Sequence, residues 1–244
     1  MNQLELSIIM PCLNEAETIG TCIQKSFELL RRYNISGEVI VIGNGSTDES
    51  QKIAEEYGAI VIHENVRGYG RAIIAGINVA VGKYVLMGDS DDTYDFSESY
   101  SIISKLREGY QLVMGNRFSG YIEKGAMPVI HQYIGNPFLS FLGRILFGIK
   151  IGDFHCGMRG FVRQDIVNLS LETPGMEFAS ELIVAAALMN YKITEVPINL
   201  YCSVENRRSK LRTIRDGFRH LIYLVKTRVT GKDKQIFHEL IKFF

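Results

Sequence analysis

Residues 84–92, Tyr-Val-Leu-Met-Gly-Asp-Ser-Asp-Asp, join an apolar β-strand pattern directly to a cluster of carboxylates. The run 84–87 is short and apolar, which is typical of a strand buried in a sheet. Asp89 and Asp91 follow in the next loop, so both carboxylates can converge on one divalent cation. Mg²⁺ and Mn²⁺ prefer such hard oxygen ligands. A polar turn that caps a helix is the alternative. Because ligands bind at the carboxyl ends of strands in open α/β sheets, we favour a metal site.

The same strand pattern recurs through the first half of the chain and alternates with helical patterns. Strands are predicted at residues 6–10, 39–42, 60–63, 84–87 and 112–114. Helices, with apolar residues at three- and four-residue spacing, are predicted at residues 17–33, 47–57, 69–81 and 97–108. This alternation predicts an α/β fold with a mostly parallel central sheet flanked by helices.

The second half of the chain has a different pattern. Asn136 and Pro137 are typical of an N-cap and first helical position, and the predicted helix 138–147 is apolar on nearly every side. Further elements are predicted as a strand at 157–162, a helix at 177–189, a strand at 193–200 and an amphipathic helix at 211–225. Neither a repeat nor a flexible linker interrupts them, so we expect a single domain.

Composition limits the class of protein. The 244 residues carry 27 Lys and Arg against 27 Asp and Glu, and 46% are hydrophobic, so the chain can bury a core. The zero net charge excludes a uniformly basic chain, and we expect no nucleic-acid partner. The four cysteines form no Cys-x-x-Cys pair, which argues against a zinc ribbon and favours a reducing, cytoplasmic compartment. The sequence contains no run of 18 apolar residues, the length that is typical of a transmembrane helix.

Three more loops at predicted strand ends carry candidate binding residues: 11–15, 43–48 and 67–71. The first is Pro-Cys-Leu-Asn-Glu, the second Gly-Asn-Gly-Ser-Thr-Asp and the third Arg-Gly-Tyr-Gly-Arg. Glycines allow a ligand to approach the backbone, and arginines can contact phosphate. Tight or solvated turns need the same residues, so both interpretations stay open. The loops contain neither a P-loop nor a Gly-x-Gly-x-x-Gly dinucleotide motif.

In order and spacing, these loops resemble the motifs of family 2 glycosyltransferases with the GT-A fold. Residues 9–15, 43–48, 65–70 and 88–92 carry the resemblance, and 114–117, 153–159 and 175–178 extend it towards polyprenyl-phosphate (dolichol-phosphate) mannose or glucose synthases. It spans residues 6–215. It implies a GT-A catalytic domain at 1–204 and a basic amphipathic helical extension at 205–244, packed on that domain or on the membrane.

The resemblance also implies roles for individual residues. Contacts to the nucleotide sugar are implied for Pro11, Leu13, Glu15, Asn44, Gly70 and Asp89. Asp89 and Asp91 would hold Mg²⁺ or Mn²⁺ on the diphosphate. Asp91, Arg117 and Arg159 would be catalytic, and the acceptor phosphate would meet Arg117, Arg159 and Lys210. The chain departs from many relatives at Gly43-Asn44, where they have two acidic residues, and at Thr93, where they often place another polar neighbour of the metal.

The implied reaction moves a hexose, with inversion, from a GDP-mannose or UDP-glucose type of donor to a polyprenyl phosphate. A lipid phosphate is already ionised near pH 7 and needs no strong base. A saccharide hydroxyl, the alternative acceptor, needs one, for which Glu177 and Glu181 are the candidates. A sugar-phosphate nucleotidyltransferase is disfavoured because residues 11–15 lack its basic glycine-rich loop. A non-catalytic nucleotide-sugar-binding partner subunit is disfavoured by the intact aspartate pair.

The C-terminal helix indicates where the protein works. Residues 205–228 carry eight Lys and Arg and two acids, and apolar residues recur there at helical spacing. A neighbouring basic stripe comprises Arg212, Arg215, Arg219 and Lys226. Such a helix can lie on an anionic membrane, and docking on the core with a solvated basic edge is the alternative. We expect a peripheral protein at the cytoplasmic face of the membrane, acting as a homo-oligomer or with a separate membrane-protein partner.

Overall fold

A computed structural model of the protein describes residues 4–204 and 213–241, with side chains in the last helix described from Arg215 to Thr230. Its centre is a seven-stranded sheet. The strands are β1 (Leu6–Cys12), β2 (Gly37–Gly43), β3 (Ile60–His63), β4 (Tyr84–Met87), β5 (Leu112–Asn116), β6 (Arg159–Val162) and β7 (Ile193–Pro197).

Helices connect these strands and cover both faces of the sheet. They are α1 (Ile19–Arg32), α2 (Ser50–Glu56), α3 (Tyr69–Val79), α4 (Tyr100–Arg107), α5 (Asn136–Phe147), α6 (Arg163–Val167), α7 (Phe178–Leu188) and α8 (Thr213–Ile241). None of the helices in the described ranges combines the length and apolar character needed to cross a bilayer.

The strands lie in the order β3-β2-β1-β4-β6-β5-β7. All neighbouring pairs are parallel except those of β6, which runs antiparallel to both β4 and β5. The predicted mostly parallel sheet is therefore confirmed. The reversed direction of β6 was not predicted, because a short apolar run carries no signal for strand direction.

The alternating side chains of β1 explain why both faces of the sheet are covered. Leu6, Ile8 and Met10 pack into one core cluster, whereas Ile9 packs into the other. All four side chains are fully buried. The first cluster includes side chains of α1 and α4, and the second those of α3 and α7. Two apolar faces on one strand require two helical layers, as in other sheets of this type.

Most predicted elements are confirmed with adjusted ends. The helix predicted at 97–108 is a short 3₁₀ turn, Phe96–Glu98, followed by α4, and the strand predicted at 193–200 ends at Pro197. Asn136 is not an N-cap, because a π-helical turn, His131–Gly135, leads directly into α5. The helix predicted at 211–225 is the longer α8. The division at residues 204 and 205 borders the undescribed 205–212 and stays a prediction.

Candidate active site

Loops after three neighbouring strands are tied together at the carboxyl edge of the sheet. Ser90 Oγ, after β4, donates to the carbonyl oxygen of Pro11 at 2.7 Å. Asn14, after β1, donates its backbone N–H to Ser46 Oγ at 3.0 Å. Because β1 lies between β2 and β4, the end of β1 and the loop after it bond to the loops that follow both neighbours. Hydrogen bonds therefore hold the loops at this edge of the sheet together, and we refer to these loops as the platform.

A cleft of about 370 Å³ opens above this platform. Five of the residues predicted to bind the nucleotide sugar line it, together with Asp91; these are Pro11, Leu13, Glu15, Asn44 and Asp89. The other lining residues are Cys12, Arg67, Gly68, Tyr69, Ala72, Ser90, Gly175, Met176, Arg215, Asp216 and Arg219. The fold thus brings together residues more than two hundred positions apart in the chain.

The two central aspartates are held by neutral hydroxyl donors. Tyr69 Oη donates to Asp89 Oδ1 at 3.1 Å, and Thr93 Oγ1 donates to Asp91 Oδ1 at 2.6 Å. Burial, together with the charge of Asp89, raises the pKa of Tyr69 well above its usual range, so the phenol keeps its proton and donates. Thr93 therefore orients Asp91. Asp92 belongs to a separate contact, a 2.8 Å ion pair with Lys25.

The backbone behind Asp89 leaves no room for a side chain. A Cβ on Gly157 would lie 2.3 Å from Asp89 Oδ2 and 3.1 Å from Tyr94 Cε2. Gly157 N–H also donates to Tyr94 Oη at 3.1 Å, which fixes the loop in place. Gly157 thus positions Asp89. Sequence reasoning missed this role because the two residues are 68 positions apart.

The aspartate pair fits a divalent cation that is shared with a ligand. Both carboxylates line the cleft. In the described part of the chain, no three side chains from His, Cys, Asp and Glu converge on one point. Mg²⁺ characteristically takes one or two protein carboxylates and completes its shell with substrate phosphates and water. The residues present therefore suit a cation that arrives with a diphosphate.

Asn44 lines the cleft, but its side-chain amide is engaged by the neighbouring loop. Its Nδ2 donates to the carbonyl oxygens of Glu64 and Val66 at 3.0 and 2.9 Å, and its Oδ1 accepts from Gly68 N–H at 2.7 Å. A carboxylate here would lack the two donors. The departure from acidic residues at this position therefore has a local physical explanation: the amide holds loop 64–68 against β2.

Gly70 does not line the cleft, and its implied contact with the nucleotide sugar stays a prediction. Gly70 is buried and absent from the cleft lining. A Cβ there would lie 2.1 Å from the carbonyl oxygen of Thr173. The glycine is needed because α3 begins against the backbone of the 173–174 loop. Its neighbours Gly68 and Tyr69 face the cleft instead.

Arg117 lies outside the cleft lining and forms a buried ion pair. Its Nε and Nη2 donate to the two carboxylate oxygens of Asp153 at 2.7 and 2.9 Å, and its backbone N–H donates to the same carboxylate at 3.2 Å. Asp153 is completely buried. This arrangement fixes the loop after β5 to the loop before β6. The implied phosphate contact of Arg117 stays a prediction.

The Arg117–Asp153 pair leads to a stability prediction. Asp153→Ala would leave a buried guanidinium without its counter-ion, and we expect it to lower the free energy of unfolding by about 3–5 kcal/mol. Urea unfolding followed by circular dichroism measures this. Glu108→Ala is the matched control, because it removes an exposed partner of Lys105 and should cost about 0–1 kcal/mol. Equal losses in the two variants would contradict the prediction.

Arg159 lies in the core, where its side chain does not line the cleft, and its implied catalytic and phosphate-binding roles stay predictions. The residue is 1% exposed. Its three guanidinium nitrogens donate to the carbonyl oxygens of Cys156, Ala179 and Phe154 at 2.7, 2.8 and 3.0 Å. As the first residue of the inner strand β6, it braces the 153–157 loop from below and contacts no open surface.

The two candidate bases also lie off the cleft lining. Glu181 accepts hydrogen bonds from the backbone N–H groups of Glu172 and Thr173 and from the Thr173 hydroxyl, so it holds the loop before α7. Glu177 is buried and pairs with Arg219 at 2.6 Å. Neither carboxylate lines the cleft itself, and their role as the base for a hydroxyl acceptor stays a prediction. Glu177 instead acts on the cleft through Arg219.

The start of α8 forms one wall of the cleft, a feature the sequence did not reveal. Arg215, Asp216 and Arg219 all line it. The basic stripe predicted to meet a membrane is therefore divided, with Arg215 and Arg219 at the cleft. Arg212 and Lys210, the latter predicted to contact the acceptor phosphate, lie outside the described residues.

A buried polar contact fixes α8 in this position. His220 Nδ1 and Ser180 Oγ of α7 share a 2.8 Å hydrogen bond, and Ser180 Oγ also lies 3.2 Å from His155 Nε2. Burial, assisted by the nearby Arg159 charge, lowers the pKa of His220 to about 4, so the imidazole is neutral at pH 7. Leu224, one turn further on, is fully buried in the second core cluster.

This sheet, with a carboxylate pair and arginines at its carboxyl edge, defines a GT-A glycosyltransferase domain. The chain belongs to glycosyltransferase family 2: the family model "Glycosyl transferase family 2" matches residues 7–169. The resemblance seen in the sequence is confirmed at this level.

Three proteins illustrate the relationship. The chain is 38% identical over 221 residues to the low-salt glycan biosynthesis hexosyltransferase Agl6 of Haloferax volcanii, covering 90% of this chain but only 53% of that relative. It is 31% identical to a dolichyl-phosphate hexose transferase of the same organism, covering 80% of this chain and 82% of the relative. A Mycobacterium tuberculosis glucosyl-3-phosphoglycerate synthase, solved with Mn²⁺ and UDP-glucose, shares the fold with a TM-score of 0.70, 22% identity, and 92% and 79% coverage.

Proposed function

We propose that the protein transfers a hexose, with inversion, from a nucleotide sugar to a polyprenyl phosphate at the cytoplasmic face of the membrane. The observation that carries this proposal is the lining of one cleft by Asp89, Asp91 and three arginines from distant parts of the chain. A nucleoside diphosphate and an acceptor phosphate are both anionic, and this charge pattern suits them. The similarity to a dolichyl-phosphate hexose transferase supports the same acceptor class.

The cleft residues suit displacement at the anomeric carbon. The bond from that carbon to the diphosphate oxygen breaks while an acceptor phosphate oxygen bonds the carbon from the opposite face. The nucleoside diphosphate then leaves with an added negative charge. Arg67, Arg215 and Arg219 lie where they can stabilise this charge, and fixed charges in a cleft need little rearrangement as it develops. A cation held by Asp89 and Asp91 would supply further electrostatic stabilisation of the leaving group.

Donor and acceptor are identified by incubating the protein with a panel of GDP- and UDP-sugars, polyprenyl phosphate, and Mg²⁺ or Mn²⁺. We expect a glycolipid product with one donor class and its loss on chelation. Product formation only on a saccharide hydroxyl would overturn the proposed acceptor. Donor binding without transfer to any acceptor would instead favour a non-catalytic partner subunit.

Asp216 separates the two acceptor classes. It is a carboxylate at the cleft, contributed by α8, and a hydroxyl acceptor would need such a base. A phosphate acceptor is already ionised, so we expect Asp216→Asn to keep kcat within about threefold and to leave its pH profile unchanged. A loss of about 10²–10⁴-fold, the usual contribution of a general base, would contradict this expectation. Asp92→Asn is the control for removing a carboxylate outside the cleft.

A further inference from the structure

The side of the protein formed by α5 and α8 exposes an unusual amount of apolar surface. On the π-helical turn and α5, Tyr133, Ile134, Phe138, Phe141 and Ile145 are 52 to 69% exposed. On α8, Phe218, Ile222, Val225 and Val229 are 46 to 70% exposed. We refer to these nine side chains as the outer apolar face. Large exposed apolar patches mark interaction sites rather than ordinary surface.

On α8 this face points directly away from the core. At about 100° per residue, Phe218, Ile222, Val225 and Val229 form a single stripe. The buried residues His220 and Leu224 lie on the opposite side of the helix. The helix is therefore apolar on two sides, only one of which the fold uses. The other side is exposed in the described part of α8.

The two helices present their stripes side by side. Leu142 and Leu146 of α5 pack in the same core cluster as Tyr223 and Leu224 of α8, so the inward sides of both helices share one contact region. Phe141 and Ile145 lie opposite the buried Leu139 and Gly143 on α5. Since α5 and α8 contact each other, their outward stripes lie on neighbouring helices.

The charged residues on α5 and on α8 from residue 217 to 230 are all basic. Arg144, Lys226 and Arg228 are exposed among its residues, and the sequence 126–150 contains no Asp or Glu. Within 215–230 the sole acid is Asp216, which lines the cleft. In a two-fold symmetric dimer each patch meets its own copy, so the basic side chains would face one another and repel. An apolar surface with a basic rim instead complements an anionic bilayer.

We propose that the outer apolar face inserts into the surface of an anionic membrane. Phe141, Ile145, Phe218 and Ile222 would enter the acyl boundary, and Arg144, Lys226 and Arg228 would contact lipid phosphates. Arg215 and Arg219, on the same helix as Phe218, line the cleft, so this orientation sets the cleft beside the bilayer. This surface would bring the cleft to its lipid acceptor, so its biological purpose rests on the proposed function.

Vesicle flotation of the full chain tests this proposal, with phosphatidylcholine vesicles prepared with and without phosphatidylglycerol. We expect the protein to float with the anionic vesicles and to be released by salt. Phe141→Asp and Ile222→Asp, tested separately so that each helix is assessed, should each reduce the bound fraction about tenfold or more. Arg144→Gln and Lys226→Gln should each weaken anionic-vesicle affinity about fivefold, the contribution of one basic residue near a charged surface.

Leu188→Asp is the matched control, because Leu188 is 54% exposed at the end of α7 and outside the outer apolar face. It should float like the wild-type protein. If the wild-type protein does not float with anionic vesicles, the proposal is overturned whatever the variants do. So would a stable wild-type oligomer that Phe141→Asp and Ile222→Asp convert to monomers, since the face would then bind a second copy.

Transfer to a short-chain, water-soluble prenyl phosphate separates this proposal from the proposed function. The variants Phe141→Asp and Ile222→Asp should retain transfer to the water-soluble acceptor while losing transfer to polyprenyl phosphate in vesicles. Flotation without transfer to either acceptor would leave the surface assignment intact and contradict the proposed reaction. Transfer to both acceptors without flotation would support the proposed reaction and contradict the surface assignment.

Discussion

Asp91→Asn should reduce hexose transfer about 10³-fold or more and abolish the dependence of nucleotide binding on a divalent cation. The substitution keeps the size of the side chain, and the amide oxygen can still accept the 2.6 Å hydrogen bond from Thr93. Only the negative charge towards the cleft is lost. The effect should therefore be on the cation and on the leaving diphosphate, with little change in folding.

The measurement pairs initial rates with titration calorimetry of the nucleoside diphosphate, with and without Mn²⁺. Asp92→Asn is the control, because Asp92 pairs with Lys25 and does not line the cleft. It removes the same charge from the next residue in the chain and should leave the rate within a few fold. Full activity of Asp91→Asn, or an equal loss in both variants, would refute a metal-binding role for Asp91.

Gly157→Ala should lower transfer about 10²-fold although Gly157 is absent from the cleft lining. The new Cβ would lie 2.3 Å from Asp89 Oδ2, so the carboxylate must move. A displacement of about 1 Å at a catalytic group is enough for such a loss. The loop cannot easily retreat instead, because Gly157 N–H is bonded to Tyr94 Oη at 3.1 Å. Stability should fall by about 1–3 kcal/mol, the usual cost of overpacking.

Gly217→Ala provides the comparison, since a Cβ at that helical position meets nothing within 4 Å. It should keep both activity and stability. Metal titration distinguishes a positioning role from simple unfolding, because Gly157→Ala should need a higher cation concentration for half-maximal activity while remaining folded by circular dichroism. An unchanged cation requirement in a folded, weakly active variant would count against the positioning of Asp89.

Most of the fold could be predicted because its signals are local. The strand runs before residues 11, 43 and 88 each end in a polar loop, and parallel strands place such loops at one edge of the sheet. The loops that hold Pro11, Glu15 and Asp89 were found in this way, and the resemblance to the family implied the roles of these residues. The direction of β6 could not be found, because direction depends on which neighbours a strand pairs with and not on its composition.

The arginines show the limit of motif reasoning. Arg117 and Arg159 stand in segments that resemble family motifs, yet the structure binds one to Asp153 and the other to three backbone carbonyls. Arg215 and Arg219 look like part of a solvated basic stripe, yet they line the cleft. The residue type and its charge are the same in both situations. Burial and the partner across the fold decide the role.

By itself, the sequence determined the strand and helix periodicity, the strand-end loops and the carboxylate pair, because these depend on residues close together in the chain. The tertiary structure alone decided that Gly157 supports Asp89, that Glu177 holds Arg219, and that α8 closes the cleft with one side while exposing Phe218 and Ile222 on another. Each of these depends on a contact across 40 or more positions. Such contacts exist only after the chain has packed, so no local pattern encodes them.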